Sequence, residues 1–371
     1  MENSAGIVKP QYVTFRDDFS FESGRVLSSV TCCYETYGKL NIDKSNAILI
    51  CHALTGSAHA AGFHRADEQK PGWWDSMIGP GKTFDTEKYF VICSNFLGSC
   101  FGTTGPSSID PSTGKRYGIS FPVASVKDMV KLQKRLIDHL GIEQLVAVAG
   151  GSMGGMQVLE WGATFPDMMK TLIPIATTHA ITPMAIAFNS IARFSITKDP
   201  RWNKGDYYEG EFPVDGLAIA RMAGHITYLS DPAFNDKFGR RYSAFEGFYD
   251  FNGFFEVENY LRYNGYKFTE FFDANTYLYV LKAMDIFDLS YGRGSLADAV
   301  ELIRADTLLV SVSSDFLFPP YLTEEIYDIM KHQGKKAFWY NIQSNYGHDA
   351  FLLEFEELDR LIREFFADRG L

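Results

Sequence analysis

The stretch LVAVAGGSMGGMQVLEWGATF, residues 145–165, constrains this chain more than any other. An unbroken apolar run meets a cluster of glycines around one serine, and a second apolar run follows at once. Gly150-Gly151-Ser152-Met153-Gly154 matches G-x-S-x-G. A strand turning straight into a helix at this point strains the central residue and lifts its hydroxyl clear of the sheet. The flanking residues must be small, because a side chain there would collide with the neighbouring strand or helix. Gly155 adds a glycine where the helix presses on the sheet. A dinucleotide-binding turn would need another glycine pattern and an acidic residue ending the next strand. Gly81-Lys82-Thr83 resembles the end of a phosphate-binding loop, but the position of its first glycine holds Ser76 and no strand precedes it.

Around this turn the hydrophobic period alternates between strand and helix. Residues 25–37, 46–51 and 88–95 carry Val, Ile, Tyr and Phe runs bounded by turn residues, which predicts strands. Val126, Met129, Val130, Leu132, Leu136 and Leu140 fall at helical spacing, and Gly141 supplies a stop. Strand 144–149, helix 154–165 and strand 171–177 continue the rhythm, which predicts a mostly parallel sheet with crossover helices. From about 180 to 296 it breaks. Residues 184–196, 216–229 and 276–287 look helical, with aromatic-rich loops between them and nothing resembling a buried parallel strand. Strand 307–312, helix 323–331, strand 337–342 and a C-terminal helix near 351–366 then resume it. The expected architecture is one α/β core, 1–180 and 297–371, with a helical cap, 181–296, inserted between two parts of its sheet.

A serine hydroxyl needs a base, and the base needs an orienting acid. In the α/β-hydrolase fold, which this pattern suggests, the chain order is serine, acid, histidine, each after a strand. Asp315 follows TLLVSVSS, and His348 follows AFWYNIQ in the loop SNYGHD. The candidate triad is therefore Ser152, Asp315 and His348. His52, His59 and His64 precede the serine, which reverses the order. His139 lies in a helix, His179 and His225 belong to the inserted segment, and His332 ends a surface helix. Acyl transfer also needs donors for an oxyanion: the amide after the nucleophile, Met153, and one from the loop CHALTGSAH, where Leu54 is the candidate. The irregular spacing of the histidines in that loop argues against a metal site.

Bulk composition narrows the alternatives. With 46% hydrophobic and 22% charged residues over 371 positions, the chain has an ordinary globular composition and enough length for a generous core. A formal net charge of −11 argues against a sequence-independent nucleic-acid binder, which needs a basic face. MENSAGIVKPQYVTF lacks a basic segment followed by an apolar one, and no apolar run approaches a membrane span, so a cytoplasmic protein is expected. The five cysteines, Cys32, Cys33, Cys51, Cys93 and Cys100, form no CxxC pair and are expected as reduced thiols.

Beyond these motifs the chain resembles the homoserine O-acetyltransferase family. The resemblance rests on YETYGKLN, NAILICHALTGSAHAAG, PGWWDSMIGPGKTFDTEKYFVICSN, GTTGPSSIDPSTGKRYG, AGGSMGGMQVLEW, ARMAGHITYLS, FDANTYLYVLKAMD, SSDFLFPP and GHDAFLL, in family order over nearly the whole chain. PGWWD and the GPSS loop have no general role in α/β-hydrolases, which makes the match specific. It implies a ping-pong reaction in which Ser152 takes an acetyl group from acetyl-CoA, a co-substrate, and passes it to the hydroxyl of L-homoserine, with no tightly bound cofactor. It also implies that Arg221 holds the substrate carboxylate and Asp349 the amino group, with Tyr228 further along the same helix lining the same pocket, and a homodimer formed through the cap. Two departures from the family pattern stand out: Ser57 stands in place of an aspartate in the oxyanion loop, and Phe194-Ser195 in place of a Gln-Ala pair. The first is expected to alter support of the loop and the second to reshape the acyl or acceptor pocket. Succinyl transfer, transfer onto serine, simple ester or thioester hydrolysis, and a catalytically inert binding role are the competing readings.

Overall fold

The computed structural model describes residues 3–243, 249 and 251–371. Its central sheet contains β1 (Gln11–Phe15), β2 (Val30–Tyr37), β3 (Ala47–Cys51), β4 (Phe90–Ser94), β5 (Leu145–Gly151), β6 (Met169–Ile175), β7 (Asp306–Val312) and β8 (Ala337–Ile342). The order across the sheet is β1-β2-β4-β3-β5-β6-β7-β8. β1–β2 and β2–β4 pair antiparallel and the remaining pairs are parallel.

Strands buried on both faces must be apolar throughout. Every residue of β3 and β5 is buried. Alternation sends Ala47, Leu49 and Cys51 to one face and Ile48 and Ile50 to the other. On the first face lie α1 (Val126–His139), α2 (Met153–Thr164), α8 (Leu296–Glu301) and α9 (Tyr321–His332). On the second, α10 (Phe355–Ala367) buries Leu358, Ile362 and Phe366, and the chain between β3 and β4 contributes Trp74, Met77 and Phe84. Each of these large side chains, fully buried, contributes about 1.5–3 kcal/mol.

In the sheet and at the C-terminus, several elements differ from the sequence expectation. Residues 25–37 do not form one strand: Val26–Leu27 pairs with Phe19–Ser20 in a separate ribbon, and β2 begins only at Val30. The edge strand β1 has no legible signal because it is largely exposed and has no buried run. The C-terminal helix starts at Phe355 rather than near 351, because Gly347–Leu352 forms a 3₁₀ turn closed by Leu353 and Glu354 amides on the Ala350 carbonyl.

Between β6 and β7 the chain forms α3 (Pro183–Lys198), α4 (Val214–Tyr228), α5 (Asp231–Phe238), α6 (Glu256–Phe268) and α7 (Ala274–Asp285). Thr182, Ser230 and Asp273 cap α3, α5 and α7 by accepting bonds from first-turn amides. Of α6, only Gly265 and Phe268 are buried, so no apolar stripe betrays it. These helices share a cluster of Ala192, Ile196, Leu217, Ala220, Phe268 and Tyr277, against which Leu54 and Phe101 of the α/β part pack. Where the segment leaves and rejoins the sheet, Ala180 and Asp288 bridge and the Leu289 amide donates to the His179 carbonyl at 2.8 Å. Among the described residues no helix is long and apolar enough to cross a membrane.

Candidate active site

Ser152 stands where β5 becomes α2, with φ 58° and ψ −125°. A non-glycine residue holds such a conformation only when its surroundings fix it. Here its amide donates to the Ile175 carbonyl at 2.9 Å, and its own carbonyl accepts from Thr177 Oγ1 at 2.8 Å. A Cβ on Gly154 would run into the Cys51 carbonyl oxygen at the end of β3, so only glycine lets α2 start this close to the sheet. A buried amide network adds to the clamp: Trp161 Nε1 donates to Gln133, Gln133 to Gln157, and Gln157 to the His52 carbonyl at 3.1 Å.

β7 and β8 bring the partners. His348 Nε2 is 2.8 Å from Ser152 Oγ, and Nδ1 is 2.7 Å from Asp315 Oδ2. Asp315 Oδ1 accepts from the Leu317 and Phe318 amides, both at 2.9 Å, which fixes the carboxylate without a counter-charge. All three side chains are buried. Burial opposes charging the His348 ring, yet the Asp315 carboxylate and its hydrogen bond raise the pKa above the ordinary imidazole value. This geometry lets a serine proton move to a histidine whose tautomer is set by the acid.

The two residues expected to supply oxyanion amides lie next to the nucleophile in the chain and in its cavity wall. Met153 is the first residue of α2, and a first-turn amide has no partner within its helix. Leu54 follows β3 and lines the same small cavity as Ser152.

Helix α4 supplies the charged partner. Arg221 Nη1 lies 3.2 Å from Tyr228 Oη and 3.3 Å from Thr55 Oγ1, and its guanidinium sits 4.7 Å above the Phe268 ring. Among the described residues no carboxylate lies within ion-pair distance of it. Asp349, next to the base, is half-buried. Burial raises its carboxyl above the usual range, against the pull of His348 and Arg221. Arg221 thus touches Tyr228, which lines the cavity beside Ser152, Asp349 follows His348 in the chain, and among the described residues the two charges form no ion pair. Tyr228 joins the two sides, touching Arg221 and stacking 6.5 Å from His348.

The cavity beside Ser152 measures about 40 Å³ and is lined by Leu54, Phe188, Tyr228, Tyr277 and Met284 among others. Phe188, Tyr277 and Met284 escape sequence reasoning because helical spacing marks them only as core. Thr55 escapes because nothing local pairs it with Arg221. The departures at 57 and 194 also resolve. The Ser57 hydroxyl accepts from the His59 amide at 3.3 Å within the loop, and its backbone carbonyl accepts from Trp73 Nε1 at 2.9 Å. Phe194, however, is 63% exposed, and Ser195 Oγ bonds the Gly216 carbonyl at 3.0 Å between α3 and α4. Neither is among the residues lining the cavity. The loop histidines also behave differently from their irregular spacing: His59 and His64 meet on Glu35, with ligand atoms within 4.8 Å of one another, while His52 stacks on Phe96.

Residues 46–355 match the family model described as the alpha/beta hydrolase fold. The chain is 70% identical over 366 residues to a homoserine O-acetyltransferase of Deferribacter desulfuricans, covering 99% of this chain and 97% of that protein. Its structure is similar to the crystal structure of homoserine O-acetyltransferase from Bacillus anthracis, with a TM-score of 0.92, 34% identity and 97% of each chain covered. It is also similar to esterase E22, with a TM-score of 0.90, 31% identity, and 97% of this chain and 100% of that one covered.

Proposed function

The chain belongs to the homoserine O-acetyltransferase family within the α/β-hydrolase fold, and from that premise we propose that it moves an acetyl group from acetyl-CoA to the hydroxyl of L-homoserine through an acyl-serine at Ser152. His348 takes the Ser152 proton as Oγ attacks the thioester carbonyl. The oxyanion forms against the Leu54 and Met153 amides, each donor contributing about 3 kcal/mol in sites of this kind. Collapse breaks the C–S bond, and His348 returns the proton to the departing CoA sulfur. Homoserine then binds with its carboxylate on Arg221 and its ammonium on Asp349, Tyr228 lining the pocket. A planar guanidinium grips carboxylate bidentately. His348 removes the hydroxyl proton, the oxygen attacks the acetyl carbon, and Ser152 Oγ recovers the proton on release.

The observation that carries this reading is Arg221, which has no carboxylate partner among the described residues and touches Tyr228 of the cavity beside Ser152. A zwitterionic amino acid needs both charges, whereas ester hydrolysis needs neither. Acetyl is favoured over succinyl because the side chains lining the cavity beside Ser152 include no cation for a second carboxylate. Likeness to esterase E22 supports one second reading, hydrolysis of the acyl-enzyme by water. Thiol release from acetyl-CoA and succinyl-CoA, each with and without homoserine, decides among the three, with Ser152→Ala as the inactive control. Release that requires homoserine and prefers acetyl-CoA is expected; release indifferent to homoserine would make the chain a hydrolase.

The same reading assigns residues 1–180 and 297–371 to the catalytic core and 181–296 to a cap that closes over the acyl-serine and keeps water out. No tightly bound cofactor is required by these steps. Cytoplasmic residence agrees with free, mostly buried cysteines. Ile191 and Phe194 on α3 and Ile219 and Ile226 on α4 are exposed and apolar, which supports a homodimer formed through the cap.

A further inference from the structure

We propose that Glu35 is a positioning residue for acyl transfer: its buried carboxylate holds His59 and His64, and through them the segment 52–64 that presents Leu54 and Thr55 to the acyl-serine site. The proposal deepens the reading above by naming what holds one of its two oxyanion donors in place.

Glu35 lies in β2, opposite Cys93 of β4, and is 1% exposed. Its Oε1 is 2.7 Å from His64 Nε2, and its Oε2 is 2.9 Å from His59 Nδ1 and 2.9 Å from Tyr37 Oη. Burial alone would raise the carboxyl, but the bonds from His59, His64 and Tyr37 take it below the usual range. A fully buried anion is retained only where such donors replace its water. The bonds pass directly into the loop. Tyr37 Oη also accepts from the Ala60 amide at 2.7 Å and lies 2.9 Å from the Ala58 carbonyl, while Asn95 Oδ1 accepts from the Ala58 amide at 2.7 Å. The chain from 52 to 64 has no helix or strand of its own; backbone bonds tie its far end to Gly6, Val8 and residues 72–74, and the side-chain bonds to Glu35, Tyr37 and Asn95 add to them. Leu54 lines the cavity beside Ser152, and Thr55 accepts from Arg221. One buried carboxylate thus anchors the far half of a loop whose near half serves both the oxyanion and the carboxylate grip.

The same three residues have the composition of a metal site, and the hydrogen-bond pattern argues against one. His59 Nε2 is buried with no partner among the described residues. A metal on Nδ1 would force the proton onto that orphan nitrogen, whereas ligating histidines normally donate their other N–H. A proton on Nδ1, given to Glu35, leaves only an unused lone pair buried.

The test is the acylation burst of Ser152 with p-nitrophenyl acetate in Glu35→Ala and Glu35→Gln, well below each variant's melting temperature. Rates are counted per serine labelled to completion by a fluorophosphonate. Losing one oxyanion donor outright costs about 10²–10³-fold, so a loosened donor is expected to slow acylation about 10–100-fold in Glu35→Ala, with KM for the ester little changed. Glu35→Gln, which keeps one acceptor, is expected to fall between, and it decides the matter if the alanine variant does not fold. A lower melting temperature with an unchanged burst rate per labelled serine would overturn the proposal. So would loss of the wild-type burst on chelation and its return with Zn²⁺. A normal wild-type burst without homoserine-dependent thiol release would instead sink the acetyltransferase reading and leave this one standing.

Discussion

At the scale of single residues, the proposed acceptor site uses two opposite charges, Arg221 and Asp349. Removing the guanidinium in Arg221→Ala is expected to raise the KM for homoserine by about 10–100-fold, in line with a charge-assisted pair worth about 1.5–3 kcal/mol. The burst with acetyl-CoA should stay intact, because that half-reaction precedes acceptor binding. Unchanged homoserine dependence would remove Arg221 from the acceptor site. His348 makes a second prediction. Its raised pKa means that the base form is lost as pH falls through a midpoint above the ordinary 6.5. The acid limb of kcat/KM for acetyl-CoA should therefore lie above that value. In Asp315→Asn the raising charge is gone and burial dominates, so the limb should move to lower pH while the rate falls by about 10⁴-fold. A limb that stayed in place would show that another group controls it.

At the scale of elements, the chemistry depends on how closely α2 approaches β3. Gly154→Ala places a methyl against the Cys51 carbonyl, which is backbone and cannot step aside. Overpacking of this kind costs about 1–3 kcal/mol, measurable by urea unfolding, with loss of Ser152 reactivity as the elbow shifts. Gly210→Ala meets only ordinary van der Waals contact and should lie within about 0.5 kcal/mol of the wild type. Sequence reading found α2 and β5 because an apolar strand, a glycine cluster and an apolar helix adjoin. It missed α5 and α6 because helices resting on an incomplete, half-exposed face need no apolar stripe. It joined Val26–Leu27 to β2 because β-forming residues continue across Ser28 and Ser29, and only pairing partners could separate them.

At the scale of the whole molecule, the exposed apolar side chains of α3 and α4 form the surface on which a second copy is proposed to sit. Phe194→Glu is expected to shift the protein from dimer to monomer in analytical ultracentrifugation while leaving the acylation burst within about two-fold, since buried charge opposes association and the residue is outside the cavity lining. A dimer that survives the substitution would place the interface elsewhere. The sequence by itself determined the sheet's rhythm, the serine turn, and the chain order of serine, acid and histidine. Each of these follows from local periodicity or from residues adjacent in the chain. It also carried Arg221, Asp349 and Tyr228, but only through a resemblance. The tertiary structure decided what those residues face. Phe194 is exposed on its helix, whereas His59 and His64, up to 29 positions away from Glu35, converge on its buried carboxylate. Contacts of that range are made by how strands and loops pack, and no local pattern of the chain encodes them.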